Sequence, residues 1–348
     1  MNGIMRTAVL TKEQKISIEE RKIPSPAQDE VLIKLKHVGI CGSDIHYYEH
    51  GRIGNQVVKY PMVLGHECSG TVVKIGSSVK NIKEGDIVAV EPQYTCGRCE
   101  FCKTGRYNLC PDVFFMATPP NDGAFAEYVT HRADMVYKLP DSMDTVEGAL
   151  IEPLAIGFNI ARQAKACIGQ QVHVIGAGCI GLVTVMALKS MGVTDITISD
   201  VFENRLVLAR KIGAKSTFNA SKQDVNSEIQ SITQDKGVDI VIDASGNSTA
   251  ITQTIQMVKR GGTIILVGYS RDDTISYDFN KLILKEACII TSRRYRNTYP
   301  MAIKAVSEGL APVKDIVTNS YSFEQIPEAM EYIVSNKEDV IKAIVELN

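Results

Sequence analysis

Apolar and polar positions follow two different rhythms along this chain. Up to about residue 150, short alternating runs such as Glu30 to Leu35, Gly70 to Ile75 and Asp86 to Val90 are broken by glycine, proline and asparagine. That pattern predicts an irregular, mostly β region. From Gln171 the rhythm changes to strand, glycine turn and helix-length apolar segment, with further strands predicted at Ile196 to Ser199, Asp239 to Asp243 and Thr263 to Val267. Alternation of this kind predicts a parallel sheet wrapped by helices. A helical stretch, Glu152 to Ala166, is expected to link the two regions, and the C-terminal part alternates again up to the strand-like run Ile341 to Leu347.

A length of 348 residues exceeds the usual single domain of about 100–200, so two domains are expected. Hydrophobic residues make up 45% and charged residues 22%, and 38 basic against 40 acidic side chains leave a net charge of -2. This balance describes an ordinary globule and argues against a nucleic-acid or membrane-surface binder. The longest apolar runs, such as Thr263 to Val267, fall far short of the ~20 residues that span a bilayer. The start, Met1-Asn2-Gly3-Ile4-Met5-Arg6, lacks the apolar core of a signal peptide, and the expectation is a cytoplasmic protein.

Composition matters most at the cysteines, of which there are nine, six of them between Cys41 and Cys110. In a reducing compartment such a cluster means metal or catalysis more often than disulfides. Cys96, Cys99, Cys102 and Cys110 give C-x2-C-x2-C-x7-C, four soft ligands within fifteen residues. Four thiolates on one loop suit tetrahedral zinc with no open position, hence a structural site. An iron–sulfur cluster is the competing reading of the same spacing. Arg98, Lys103 and Arg106 sit among the ligands, where they offset thiolate charge. Cys167, Cys179 and Cys288 lie among apolar residues and are expected to be buried thiols.

Gln171-Val172-His173-Val174-Ile175 reads as a buried strand running into Gly176-Ala177-Gly178-Cys179-Ile180-Gly181, with a helix expected over Leu182 to Met191. A lone G-x-G-x-x-G is weak, but here strand and helix flank it as dinucleotide binding requires. Gly176 allows the tight turn, Gly178 lets a pyrophosphate approach the backbone and Gly181 lets helix and strand pack closely. Asp200, nineteen residues after Gly181, is placed to accept hydrogen bonds from ribose hydroxyls and to repel a 2′-phosphate. NAD is therefore expected over NADP, with Arg205 a turn later softening the discrimination.

A second set of metal-type residues is dispersed: Cys41 in Gly39-Ile40-Cys41-Gly42-Ser43-Asp44, then Gly65-His66-Glu67, then Glu152-Pro153. Cys, His and Glu together are compatible with a three-ligand catalytic zinc that leaves one position open. Spacing alone does not join them. Taken singly, a buried thiol, a satisfied core histidine and an ion-paired carboxylate are equally ordinary readings.

The blocks Gly39 to Tyr47, Pro61 to Glu67, Phe114 to Pro120, Gly148 to Leu154 and Arg294 to Thr298, together with the four-cysteine lobe and the glycine turn, resemble the zinc-dependent medium-chain alcohol dehydrogenases over essentially the whole chain. The closer likeness is to the sorbitol (polyol) dehydrogenase branch. The resemblance implies an α/β fold in which a Rossmann doubly wound parallel-sheet domain, 156–296, joins a mostly β GroES-like catalytic domain, 1–155 and 297–348. It implies that Cys41, His66 and Glu67 hold a catalytic zinc, with Glu152 binding it directly or through water. Cys68, although inside the cysteine cluster, has no metal role in that pattern. Ser43 and Tyr47 look like the proton-handling and substrate-contacting side chains, and Phe115 like a pocket wall. Arg294 and Tyr295 look like residues meeting substrate and nicotinamide. His46 matches a proton-relay position of related enzymes, with an exposed polar loop residue as the alternative. Ile180, Val267, Gly268 and Arg293 join Gly176, Gly178, Gly181, Asp200 and Arg205 as expected NAD-binding positions. The implied activity is zinc- and NAD-dependent, reversible oxidation of a secondary hydroxyl of a sorbitol- or xylitol-type polyol to the ketose, with two zinc ions per chain and a tetrameric or dimeric homo-oligomer. Threonine, 2,3-butanediol or a phosphorylated polyol is the alternative substrate.

Overall fold

The computed structural model describes residues 3–270 and 272–347, and Met1 and Asn2, with which the N-terminal reading begins, lie outside them. Contacts divide the chain into two units, one comprising Met1–Glu152 with Val317–Asn348 and the other Pro153–Ile316.

The first unit is built on the alternating runs. The strand Glu30–Ile40 buries Val31, Ile33, Leu35 and Val38 and is the centre of a seven-stranded sheet. Along one path the strands run Val136–Lys138, Ile87–Val90, Glu67–Ile75, Glu30–Ile40, Lys342–Glu346 and Val317–Ser322, and Tyr128–Arg132 pairs with the central strand as well. Antiparallel register sets Gly39 opposite Glu67 on one side, and Ala343 opposite Ile40 on the other. Three neighbouring strands therefore bring chain positions 41, 67 and 342 to one end of the sheet. Beneath them lies an apolar core that includes Leu10, Leu64, Phe125, Phe323 and Val345. Burying each such side chain stabilises the fold by about 1.5–3 kcal/mol.

The helix that leaves this unit starts earlier than the expected Glu152, spanning Thr145–Gln163. The cause is local. Asp144 Oδ1 accepts the Glu147 N–H at 2.9 Å while Glu147 Oε2 accepts the Asp144 N–H at 3.0 Å, a reciprocal cap that fixes the start. Pro153, which cannot donate to the helix ladder, lies inside it at the boundary between the units.

The second unit is a six-stranded parallel sheet in the order Ser216–Asn219, Asp195–Asp200, Gln171–Ile175, Val238–Asp243, Val258–Leu266, Cys288–Thr291. The order reverses at Gln171–Ile175. That reversal creates the crevice at the carboxyl ends of the strands where such sheets take ligands. The unit continues to Ile316, twenty residues beyond the boundary at 296 expected from the sequence. The added segment contains the helix Tyr299–Ser307, whose Tyr299 and Ala302 are fully buried. No helix among the described residues is long and apolar enough to cross a membrane.

Candidate active site: two metal centres and a nucleotide turn

Cys41 follows the central strand directly and caps the helix Gly42–His50 from an extended conformation. Asp44, wholly buried, folds its side chain back: Oδ2 accepts the Cys41 N–H at 2.9 Å and Oδ1 the Gly65 N–H at 2.9 Å. One carboxylate thus ties together the two segments that carry Cys41 and His66. Gly65 has φ +86°, and a Cβ there would come within 2.6 Å of the Phe125 ring, so both conformation and space demand glycine. His66 is buried, edge-on to Phe115 with ring centroids 5.4 Å apart.

The ligand atoms of Cys41, His66 and Glu67 lie within 4.8 Å of one another. A tetrahedral zinc with bonds of about 2.0–2.3 Å needs ligand separations of about 3.3–3.8 Å, which small side-chain rotations reach from here. The set also shows the marks of a cation site. His66 Nδ1 is buried without a hydrogen-bond partner, with Asp44 Oδ1 3.7 Å away. Burial opposes protonation of this imidazole, yet the charges of Cys41 and Asp44 outweigh it and hold its pKa well above the ordinary value. Negative charge here attracts any available cation. Glu152 is buried at the end of the first unit but does not join the three-residue group.

The four-cysteine lobe is equally well formed. Sγ atoms of Cys96 and Cys102 are 4.0 Å apart, those of Cys99 and Cys102 3.4 Å, and those of Cys96 and Cys110 3.6 Å. The edge of a tetrahedron with Zn–S bonds of about 2.3 Å is about 3.8 Å, in the middle of these values. The backbone N–H groups of Arg98 and Cys99 favour the Cys96 thiolate and bring its pKa down to about 6. A residue that the sequence did not single out anchors the lobe. Glu91, wholly buried, accepts from Tyr107 in the lobe at 2.7 Å, from Gln93 at 3.0 Å and from Tyr137 of a sheet strand at 3.0 Å. Burial pushes its carboxyl pKa up against these three bonds, which favour the charged form. Its only signal in the sequence is a carboxylate directly after the apolar run Ile87–Val90.

No disulfide joins any of the nine cysteines. Cys68 is buried, as expected, and burial pushes its thiol up to about 12. The expectation of burial fails at three others: Cys167 and Cys288 are exposed and Cys179 is half-buried. Cys167 lies in the turn before Gln171, Cys288 opens a strand at the sheet edge, and Cys179 starts a helix at the glycine turn.

In the second unit, Gly176 closes the first strand at φ +96° and Gly178 caps the helix Cys179–Ser190. A Cβ on Gly181 would meet Gly176 O at 1.8 Å, so this glycine is needed for helix–strand packing. Gly178 differs: the only atom a Cβ would approach is Arg205 Nη1 at 3.8 Å. That open space in front of a helix N-terminus is a cradle fit for a phosphate. Ile180 is half-buried in the first turn behind it. Asp200 ends the second strand, where its carboxylate accepts N–H groups of Ala177 at 2.6 Å and Phe202 at 2.9 Å. A carboxylate has about four lone-pair sites, so capacity for ribose hydroxyls remains. Arg205 lies over the Phe202 ring at 4.9 Å. Val267, Gly268 and Arg293 line a cavity of about 410 Å³ with Tyr269, Ser270 and Tyr277. A Cβ on Gly268 would meet Gly246 N at 2.2 Å, so packing already requires that glycine.

The substrate candidates divide between the units. In the first, Ser43 is half-buried in the opening turn of its helix, and Tyr47 is buried with its hydroxyl donating to Gln56 Oε1 at 3.2 Å. Phe115 is buried, and His46 is exposed with its ring 5.8 Å from that of His50. In the second, Arg294 adopts φ +53° and its carbonyl accepts from Asn159 at 3.2 Å, while Tyr295 is fully buried beside Tyr299.

Residues 27–141 match the alcohol dehydrogenase GroES-like domain, and residues 179–308 match the zinc-binding dehydrogenase domain. The chain belongs to the zinc-binding alcohol dehydrogenase family. It is 44% identical to the sorbitol dehydrogenase of Bacillus subtilis over 99% of this chain and 98% of that one. It is 43% identical to the sorbitol dehydrogenase of Bos taurus over 91% and 89%. A crystal structure from Escherichia coli, of an oxidoreductase/dehydrogenase of unknown specificity, superposes with TM-score 0.94 at 42% identity over the whole of both chains. These findings bear out the family and the sorbitol dehydrogenase likeness read from the sequence blocks, and with them the GroES-like and Rossmann-type folds.

Proposed function

We propose that this protein oxidises a secondary hydroxyl of a sorbitol- or xylitol-type polyol to the ketose, reversibly, using zinc and NAD. The observation that carries the reading is the convergence of Cys41, His66 and Glu67 at one end of the first sheet in a chain related to sorbitol dehydrogenases over nearly its full length. Bound zinc supplies Lewis acidity that makes a hydroxyl easier to deprotonate, and NAD accepts the hydride.

The remaining work falls to the chain's own side chains. Cys41, His66 and Glu67 hold the metal, with Asp44 orienting the first two, and Glu152 serves the same centre through water. A glutamate among the ligands makes the centre harder than an all-sulfur set, which suits a polyhydroxy substrate. Ser43 relays the departing hydroxyl proton, accepting it at Oγ as its own hydroxyl proton passes on to solvent, with water beside Glu152 as the alternative exit; Tyr47 contacts the polyol and Phe115 walls the site. Arg294 and Tyr295 position the substrate and the nicotinamide. Gly176, Gly178, Ile180 and Gly181 cradle the pyrophosphate. Asp200 selects NAD by accepting ribose hydroxyls and repelling a 2′-phosphate, and Val267, Gly268 and Arg293 line the rest of the nucleotide path. Cys96, Cys99, Cys102 and Cys110 hold a second, structural zinc, giving two per chain.

A homo-oligomer, tetramer or dimer, is part of this proposal. Cys288–Thr291 is an edge strand, and the neighbouring helix Phe279–Lys285 leaves Phe279, Ile283 and Leu284 exposed. An open edge beside apolar side chains is a surface that self-association covers.

The test is initial rates with NAD and with NADP on sorbitol, xylitol, threitol, galactitol, 2,3-butanediol, threonine and a phosphorylated polyol. NAD with a six- or five-carbon polyol is expected to give the highest kcat/KM. Preference for butanediol, threonine or a phosphorylated polyol would move the protein to another branch, and equal or better efficiency with NADP would remove the role given to Asp200.

A further inference from the structure

In the segment 292–297, Arg294 takes a left-handed backbone at φ +53° and Asn297 at φ +51°, although neither is glycine. A residue with a Cβ holds that conformation only where its surroundings over-determine it. Glycine would make the same turn without strain, so what the position keeps at 294 is the arginine side chain. The restraint comes from the last two turns of the helix Thr145–Gln163. Asn159, 1% exposed, donates from Nδ2 toward the Arg294 carbonyl, Ser292 Oγ and Gln163 Oε1, each 3.2 Å away. Arg162, one turn on, donates from Nη2 to Asn159 Oδ1 at 2.9 Å and to the Arg296 carbonyl at 2.6 Å. A guanidinium can only donate, so it fixes which end of the Asn159 amide is oxygen and turns the N–H groups toward the segment. Asn159 and Arg162 thus grip the segment at one hydroxyl and two carbonyls. Ser292, two residues before Arg294, also lines the cavity assigned to the nucleotide path.

We propose that Asn159, oriented by Arg162, is a positioning residue that places the Arg294 guanidinium and so sets how firmly polyol hydroxyls are held. The inference rests on the substrate role given to Arg294 above and names the residues through which that role is exerted. A guanidinium presents its donors in a rigid fork, and its value to a bound hydroxyl depends on accurate placement. Release of the Arg294 carbonyl lets this backbone relax toward the right-handed region and swings the fork, while Tyr295 stays anchored by its full burial. A merely structural role, closing a helix end against a loop, would cost stability and would not depend on the Arg294 side chain.

A double-mutant cycle on the full-length, zinc-loaded protein separates the two. Asn159→Asp keeps the shape and the acceptor for Arg162 but sets an oxygen where the Arg294 carbonyl needs a donor. For the polyol that wild type oxidises best, KM is expected to rise about tenfold, the equivalent of one hydrogen bond to a charged group, with kcat and NAD affinity within about twofold of wild type. In the Arg294→Ala background, which has no guanidinium to place, the same change should leave KM unaltered. Arg162→Met supplies the second route if Asn159→Asp fails to fold: it releases the Arg296 carbonyl, frees the amide to turn, and should raise KM with the same dependence on Arg294. Unchanged KM, an equal rise with and without the Arg294 side chain, a matching loss of NAD affinity, or failure of both single variants to fold would overturn the inference alone. A wild-type KM in Arg294→Ala would remove the role given to Arg294, and wild-type protein that oxidises no polyol would overturn the functional reading, each taking the inference with it.

Discussion

Asp44 Oδ1 accepts the backbone N–H of Gly65 at 2.9 Å, linking a helix cap to the loop that presents His66 and Glu67. Its other oxygen holds Cys41 N–H, so the geometry of the proposed catalytic centre depends on a residue that need not touch the metal. Asp44→Ala should therefore weaken the catalytic metal by about 10–100-fold, with a matching loss of kcat/KM. NAD affinity should stay unchanged, since the glycine turn belongs to the other unit. Metal analysis after dialysis and direct NAD titration check both halves, and an equal loss of NAD affinity would contradict this division of labour.

The structural role of the cysteine lobe has its own readout. Cys99→Ser should reduce zinc to one per chain and destabilise the protein by roughly 4 kcal/mol or more, the range of lost metal sites. Thermal unfolding with elemental analysis tests this. A variant of wild-type stability would show that the lobe is not held by metal.

Gly178 and Gly181 separate cofactor binding from folding. Gly181→Ala forces a contact with Gly176 O and should lower stability, while Gly178→Ala meets no protein atom closer than 3.8 Å and should fold normally but lose NAD affinity. Isothermal titration against NAD, alongside melting curves, distinguishes the two. Tight NAD binding by a folded Gly178→Ala protein would contradict the cradle.

His173 gives the second unit a defined pH response. Burial between Thr197 and Ser199 lowers its pKa to about 3, whereas the unfolded chain protonates near the ordinary 6.5. The folded pKa is the lower one, so below pH 6.5 the unfolded state binds more protons and stability falls as pH falls toward 3. Between pH 6.5 and 5 this group alone should cost roughly 2 kcal/mol. Denaturant melts of wild type and His173→Gln over that interval measure the difference in slope, and identical slopes would refute the assignment.

Much of this was legible in the sequence because the chemistry is local. Gly176 to Gly181, with its flanking strand and helix, and Cys96 to Cys110 each lie within a few turns of chain, so spacing and local pattern bring their residues together as candidate sites. The Cys41, His66 and Glu67 set is dispersed and became readable only through its resemblance to a family. Lys342 was not legible at all: it meets Glu67 across 275 positions, through a strand register that only the folded sheet sets. Glu91 escaped for the same reason, since its partners Tyr107 and Tyr137 come from a loop and a distant strand. The early helix start was encoded, in Asp144 and Glu147, but apolar periodicity does not register a cap. Apolar neighbours in sequence also misplaced Cys167 and Cys288, because position at a turn or sheet edge decides exposure there.

The central claim, that the Cys41–His66–Glu67 centre drives polyol oxidation with NAD, is tested most directly by sorbitol-dependent NADH formation in wild type beside Cys41→Ala, with the four-cysteine lobe equally loaded. The expected result is ketose and NADH in equal amounts from wild type, and a rate lower by about a thousandfold or more in the variant, as loss of several kcal/mol of metal-ion stabilisation requires. Turnover of sorbitol at a wild-type rate by Cys41→Ala would contradict it.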